Sequence, residues 1–201
     1  MHISEGILSP PVLLGGGLVC LLGTMVGLKK LKTDDVPKTA ILSAAFFVGS
    51  LIHVPLGPSN VHLVLNGLLG IILGWAAFPA ILIGLLFQAV FFQFGGLTVL
   101  GVNTVNMALP ALLASALFGT AGRGRVTSVT VLAFVAGGGA VLGSGILVAL
   151  SLALTGREFL PAAQIVLAAH LPVMVIEGCV AAAALSFIRK VRPEILNREG
   201  A

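Results

Sequence analysis

The first residues of the chain have the chemistry of a metal chelator. His2 is a large second residue, which disfavours removal of Met1, so we expect a free amine on Met1. An ion held by this amine and by the backbone nitrogen of His2 closes a five-membered ring, and the Nδ1 atom of the His2 imidazole then closes a six-membered ring. A second imidazole would complete four nitrogens in a plane, a set that favours Ni(II) or Cu(II). The spacing alone is a weak signal, because an exposed terminus with an incidental His is common.

The composition predicts a membrane protein around this terminus. The chain of 201 residues is 58% hydrophobic and 9% charged, whereas soluble domains are about 25% charged. No single core of this size could bury so much apolar surface. We therefore expect an all-α, polytopic integral membrane protein, with residues 1–201 as one transmembrane metal-capture domain and residues 1–10 as its N-terminal metal-binding segment. About seven transmembrane helices are predicted, at Pro11–Leu28, Thr39–Ile52, Val61–Leu73, Phe78–Gln93, Asn106–Phe118, Val126–Leu154 and Pro161–Ile188.

The basic residues predict the orientation of the chain. With seven crossings, only Arg157 of the 11 Lys and Arg falls on one side of the membrane. The positive-inside rule then places the N-terminus outside and the C-terminus in the cytoplasm, as a multi-pass protein of the cell (inner) membrane. The basic residues that give the net charge of +4 lie at the ends of the predicted helices, where they set the topology. No nucleic-acid partner is therefore expected. No positive region precedes the first apolar segment, so a cleaved signal peptide is not expected.

The same topology brings three of the four His to the outer face. His2 lies there with the N-terminal amine, and His53 and His62 lie on the predicted turn between the second and third segments. No P-loop with its Lys and hydroxyl residue is present, so the chain cannot hydrolyse ATP by itself. No HExxH, GxSxG or paired-carboxylate arrangement appears either, and we expect no enzyme.

Three stretches resemble the CbiM/NikM family, the substrate-specific (S) membrane subunits of energy-coupling-factor transporters for cobalt and nickel. They are the opening Met1-His2-Ile3-Ser4-Glu5-Gly6, the segment from Ser59 to Leu68 with the sequence SNVHLVLNGL, and the segment from Gly95 to Asn103 with the sequence GGLTVLGVN. The resemblance extends over most of the chain. It implies a planar site for the transported ion, formed by the amine and amide nitrogens of Met1 and His2 and the imidazoles of His2 and His62.

The resemblance also implies partners and a cargo. The partners are a transmembrane coupling (T) subunit, a pair of ABC-type ATPase subunits and often a small extra membrane subunit, and the chain itself lies in the lipid bilayer. Ni(II) is the expected substrate because four planar nitrogens suit it, and Co(II) is the alternative, as in a cobalt-specific subunit serving cobalamin synthesis. Two competing functions are kept, a stand-alone metal channel or carrier and an intramembrane metal-dependent enzyme, and a complete plane of four nitrogens without water argues against the enzyme.

Four further residues are candidates for supporting the site. His53 either shields the ion or has a structural role at a helix end. Glu5 either balances the cation or caps backbone amides of the N-terminal loop. Asn66 follows His62 at i+4, so on a helix it would share the face of His62, and Asn103 resembles an asparagine that packs near the metal in the family. Ordinary loop-to-helix hydrogen bonds would equally explain both asparagines.

Three features of the apolar segments stay ambiguous. His170 and Glu177 lie on one face of the seventh segment, and they form either a proton path or hydrogen bonds to other helices. Gly137-Gly138-Gly139 is either a point of close packing or a break in the sixth segment. Small residues at Ala40 and Ala44 and at Gly70 and Gly74 are candidate contacts for a partner subunit.

Overall fold

The described residues fold into a bundle of helices with a short β-hairpin. The computed structural model describes residues 2–51, 53–56, 59–121 and 126–196, and the side chains of residues 2–51, 62–119 and 129–196. In chain order the elements are α1 (Pro10–Lys30), α2 (Val36–Gly49), β1 (His53–Leu56), β2 (Ser59–His62), α3 (Asn66–Leu73), α4 (Ala77–Phe92), α5 (Leu100–Ala121), α6 (Val126–Thr155) and α7 (Leu160–Val191).

Among the described residues, five helical stretches are long and apolar enough to cross a membrane. They are Pro10–Lys30, Asn66–Phe92, Leu100–Gly119, Val129–Thr155 and Arg157–Val191. Each of the seven predicted segments overlaps an α-helix, but α2 has 14 residues and is about 21 Å long, shorter than the roughly 30 Å hydrocarbon core of a bilayer. The chain is a helical, multi-pass membrane protein, and the helix lengths do not establish seven crossings.

Helices α3 and α4 form the centre of the bundle. Most residues of the stretch Asn66–Phe92 are buried within the structure, whereas few residues of α1 are buried and most of its leucines are exposed. A main core cluster contains Leu69 of α3, Phe78 and Ile81 of α4 and Met107 of α5. Because α3 is central, the residues immediately before it are also held between the larger helices.

The prediction places the start of the third helix too early in the sequence. Residues 59–62 form β2, which pairs antiparallel with β1 so that His53 lies opposite His62. Helix α3 begins only at Asn66, after Leu65 has adopted a left-handed conformation with φ of 55°. The prediction that His62 and Asn66 share one helical face is therefore wrong. Two short extended runs around Gly57-Pro58 were a hairpin signal in the sequence, and the apolar residues that follow obscured it.

The glycine run in the sixth segment is a point of close packing. Helix α6 is continuous from Val126 to Thr155. A Cβ atom on Gly137 would lie 2.4 Å from the Ala181 Cβ of α7, so the missing side chain allows the two helices to approach. Gly70 is likewise packed inside the bundle, because a Cβ there would lie 1.9 Å from the Ala111 carbonyl oxygen. Gly70 is therefore unavailable to a partner subunit, whereas Ala40 and Ala44 of α2 are exposed.

Candidate metal centre

Two imidazoles from distant parts of the sequence meet at one end of the bundle. The ring centroids of His2 and His62 are 5.0 Å apart and their planes differ by 16°. His62 is buried, with 5% of its surface exposed. The ring of Phe94, which follows α4, is also stacked near His2, with 6.0 Å between the centroids. The fold thus brings together the two His that the sequence proposed as ligands.

The nitrogen atoms of both rings have defined chemical roles. The Nδ1 atom of His62 donates to the Leu63 carbonyl oxygen over 2.9 Å, because a carbonyl only accepts, and in the neutral ring Nε2 then carries the lone pair. Burial lowers the pKa of His2 well below its usual value, and repulsion from the nearby N-terminal charge and from His62 lowers this pKa further. The His2 imidazole is therefore neutral at pH 7, as metal ligation requires. Its Nε2 is shielded from solvent and lacks a hydrogen-bond partner among the described residues.

Among the described side chains, His2 and His62 are not joined by a third ligand of the usual kind. In the described part of the chain, no group of three or more His, Cys, Asp or Glu could hold a metal ion. Within the described residues, the remaining nitrogen donors near His2 are backbone amides. Met1, which the sequence proposed as the amine donor, lies outside the described residues.

Asn103 fixes the backbone next to His2. This residue lies in the first turn of α5 and is 2% exposed. Its Oδ1 accepts from the Ile3 amide and its Nδ2 donates to the Ile3 carbonyl, both over 3.1 Å. A primary amide has one donor side and one acceptor side, so it can pair with a peptide as a neighbouring strand would. Asn103 thereby holds the residue that follows His2.

The turn before α5 provides a second support for the N-terminal segment. The Glu5 amide donates to the Gly95 carbonyl over 3.1 Å, and the Thr98 amide donates to Oε1 of Glu5 over 3.0 Å. Gly95 has a φ of 78°, and a Cβ on it would lie 2.9 Å from Nδ2 of Asn103 and 3.4 Å from Cβ of His2. The Glu5 carboxylate thus accepts a hydrogen bond from a backbone amide of this turn.

Apolar contacts anchor the same segment to the bundle. Ile3 is 4% exposed and Leu8 is 6% exposed. Both belong to a buried cluster that also contains Val99 and Val102 near the start of α5 and Leu152 near the end of α6. The N-terminal segment is therefore a packed part of the fold, and it closes the end of the bundle at which α5 begins and α6 ends.

The remaining candidates occupy different environments. The side chain of His53 lies outside the described side chains, and the strand register places its backbone opposite His62. Nδ2 of Asn66 donates to the Met107 carbonyl oxygen and to Oγ of Ser144, each over 2.9 Å. Asn66 thus joins α3 to α5 and α6.

The sequence interpretation missed Phe94 and left the role of Glu177 open. The carboxyl group of Glu177 accepts from the Val64 amide and, over 3.0 Å, from the Leu65 amide, so it binds the backbone that follows His62. An ionisable residue within an apolar span was the available signal for Glu177, since such residues are costly in lipid and usually have defined partners. Nothing in the spacing of Phe94 pointed to His2.

Comparison with known proteins shows relatives that match the whole chain or a large part of it. A protein from Haemophilus influenzae described as a putative metal transport protein is 42% identical over 201 residues, covering 98% of both chains. The fused nickel transport protein NikMN of Rhodobacter capsulatus is 35% identical over 131 residues, covering 62% of this chain and 38% of that protein. A crystal structure described as a transition metal transporter superposes with a TM-score of 0.78 at 27% identity, covering 95% of this chain and 93% of the other.

The family assignment covers almost the entire chain. Residues 2–195 match the family model CbiM, described as a cobalt uptake substrate-specific transmembrane region. Members of this family are components of transport systems, not enzymes. The chain therefore belongs to the CbiM family and is a membrane component of cobalt or nickel transport.

Proposed function

We propose that this chain captures Ni(II) at the outer face of the membrane through four nitrogens, the Met1 amine, the His2 amide, the His2 imidazole and the His62 imidazole. The observation that carries the proposal is the meeting of the His2 and His62 rings at 5.0 Å. The chain acts as the substrate-specific subunit of an energy-coupling-factor transporter and delivers the ion for uptake. Co(II) is the alternative substrate.

The ring separation is compatible with two adjacent ligands of one ion. With metal–nitrogen bonds of about 2.0 Å, imidazoles at adjacent corners of a square have centroids about 4.5 Å apart, and imidazoles at opposite corners have centroids about 6 Å apart. The three donors of Met1 and His2 are consecutive along the chelate, so the fourth ligand must be adjacent to the His2 imidazole. The centroid distance of 5.0 Å is nearer to the adjacent arrangement.

The direction of the helices supports an outward-facing site. Helices α1 and α7 both begin at the end of the bundle that contains His2, because the N-terminal segment leads into α1 and contacts the start of α7 through the cluster around Ile3 and Ala163. Both helices end in basic pairs, Lys29-Lys30 and Arg189-Lys190. Under the positive-inside rule the basic end is cytoplasmic and the site faces outwards, in the cell's inner membrane. We propose seven crossings, with α2 as a short one.

Energy and partners must come from other chains. The sequence has no P-loop, so we propose that a transmembrane coupling subunit and ABC-type ATPase subunits, often with a small extra membrane subunit, drive release of the ion into the cell. Nickel is preferred over cobalt because a planar set of four nitrogens suits Ni(II). The name of the R. capsulatus relative, a fused nickel transport protein, supports the same substrate.

A two-residue extension ahead of Met1 tests the role of the amine. The extension leaves every side chain in place and moves the amine by up to about 7 Å, beyond the reach of the chelate. We expect the Ni(II) affinity of the purified protein, measured by titration calorimetry in detergent, to fall by more than about 100-fold, a larger loss than supporting residues usually give. Unchanged affinity and unchanged visible absorption of the bound ion would refute the four-nitrogen site.

Reconstituted vesicles test the transport arrangement. The chain alone should bind Ni(II) without accumulating it, whereas the chain with its coupling and ATPase subunits should accumulate Ni(II) when ATP is supplied. Accumulation by the chain alone at the same rate would instead identify a stand-alone channel or carrier. A competition series with Co(II) in the same vesicles measures the preference between the two ions.

A further inference from the structure

Glu177 is an ionisable residue buried deep within an apolar helix. Helix α7 has 32 residues, and Glu177 lies near its middle with 3% of its surface exposed. An ionisable group at such a position is costly, and proteins retain it where it has a defined partner. The partners of Glu177 are main-chain amides of a segment more than a hundred residues earlier in the sequence.

These amides belong to the link between the hairpin and α3. The hairpin ends at His62 and α3 begins at Asn66, so the amides of Val64 and Leu65 belong to neither the strand ladder nor the helix. Val64 is 1% exposed, and water therefore cannot satisfy its amide. Oε1 of Glu177 accepts from the Val64 amide, and both carboxyl oxygens lie 3.0 Å from the Leu65 nitrogen. The side chain supplies acceptors that the local backbone lacks.

One peptide group connects Glu177 to the His62 ring. The peptide between Leu63 and Val64 donates its N–H to Glu177, and its carbonyl oxygen accepts from Nδ1 of His62 over 2.9 Å. A peptide group is planar and rigid, so fixing its N–H also fixes the direction of its carbonyl. Hydrogen bonds in such a chain polarise one another, so acceptance by the carboxyl group makes the Leu63 oxygen a stronger acceptor.

We propose that Glu177 is the positioning residue for His62, acting through the Leu63–Val64 peptide. It holds the Nδ1–H tautomer of His62, so that Nε2 presents its lone pair to the transported ion. The proposal rests on the proposed role of His62 as a ligand. Carboxylates commonly orient metal-binding His by accepting from the second ring nitrogen, and here a peptide group is interposed between the two.

Nickel affinity and the His62 tautomer test this proposal in the full-length protein. Glu177→Ala should lower Ni(II) affinity by about 10–100-fold and shift the ¹⁵N resonances of the ligand-free His62 ring away from the pure Nδ1–H tautomer. Glu177→Gln keeps one oxygen acceptor for the Val64 amide. The Ni(II) affinity of this variant should therefore fall by less than about tenfold, and His62 should keep its Nδ1–H tautomer. Should Glu177→Ala fail to fold, Glu177→Asp replaces it, because a carboxyl group withdrawn by about 1.5 Å should give the same direction of change.

Ser186→Ala is the matched control on the same helix. Oγ of Ser186 shares a 2.9 Å hydrogen bond with Oγ1 of Thr130 on α6, so the variant loses an interhelical contact of α7 away from residues 63–65. It should lower the melting temperature and leave the nickel affinity and the His62 tautomer unchanged. A loss of affinity in Ser186→Ala equal to that in Glu177→Ala would reduce Glu177 to a general stabilising role and overturn the proposal.

A double-variant cycle separates this proposal from the proposed function. If Glu177 acts through His62, Glu177→Ala should cause no further loss of affinity in a His62→Ala background. A full additional loss would overturn the positioning role while leaving His62 as a ligand. If His62→Ala alone binds nickel normally, the proposed function fails, and the tautomer measurement on ligand-free protein still decides whether Glu177 controls the ring.

Discussion

Asn103 and Ile3 are paired through both polar atoms of the Ile3 backbone, each hydrogen bond measuring 3.1 Å. Through this pairing, the first turn of α5 holds the backbone of the N-terminal segment in place. Since His2 immediately precedes Ile3, the position of its ring depends on a side chain a hundred residues away. A terminal chelator would otherwise have to be ordered by the ion itself, at a cost in conformational entropy.

Removal of this pairing should weaken metal capture. In Asn103→Ala the buried Ile3 amide and carbonyl lose their partners, which should destabilise the fold by about 1–3 kcal/mol. Ni(II) affinity should fall by about 10–100-fold, the usual effect of losing a group that orients a ligand. Asn106→Ala, one turn deeper in α5, is the control, because Asn106 accepts from Ser151, whereas the Ile3 backbone pairs with Asn103. Equal nickel affinities in the two variants would contradict the role of Asn103.

The contribution of His62 should depend on the length of the N-terminus. In the native chain His62→Ala removes the proposed fourth nitrogen, so Ni(II) affinity should fall by more than about 100-fold. An extension of one residue makes His2 the third residue, and the amine, two backbone amides and the imidazole then form four donors from one segment. In that extended chain, His62→Ala should cost little affinity in calorimetric titrations. A full loss in both backgrounds would show that His62 acts by another route.

Much of the fold follows from the hydropathy of the sequence. Each predicted apolar segment overlaps a helix because a backbone in lipid must satisfy its own hydrogen bonds. The boundary of α3 could not be predicted from hydropathy, because Val64 and Leu65 are as apolar as the helix that follows. Their amides bind Glu177 between the end of β2 and the start of α3, and hydropathy does not reveal such a tertiary contact.

The candidate site was predictable to a lesser extent. His2 and His62 could be proposed because imidazoles are rare in a chain with so few polar groups, and the structure brings their rings together. The support by Asn103 and Gly95 is a matter of backbone geometry, which spacing alone does not reveal. Asn66 was associated with His62 by helical spacing, and that argument failed because His62 lies in a strand.

Gly70 should be sensitive to any added side chain. A Cβ atom there would lie 1.9 Å from the Ala111 carbonyl oxygen, and this backbone atom can move only if α3 and α5 separate. Gly70→Ala should therefore lower the free energy of unfolding by at least about 1–3 kcal/mol. Gly139→Ala in α6 is the control, since a Cβ there meets nothing within 4 Å and should be tolerated. Thermal unfolding in detergent measures both, and equal melting temperatures would contradict the close packing of α3 on α5.

Gly95 and Gly6 provide a matched pair for separating backbone strain from crowding at the site. Both residues have a φ of 78°, so replacement by Ala should cost each position a similar strain of about 1–2 kcal/mol. A Cβ on Gly6 meets nothing within 4 Å, whereas a Cβ on Gly95 would lie 2.9 Å from Nδ2 of Asn103 and 3.4 Å from Cβ of His2. We expect both variants to lose similar thermal stability and only Gly95→Ala to lose nickel affinity, by about tenfold or more. If Gly6→Ala lost as much affinity, the strain of the N-terminal segment, and not the contact of Gly95 with Asn103 and His2, would control the position of the His2 ring.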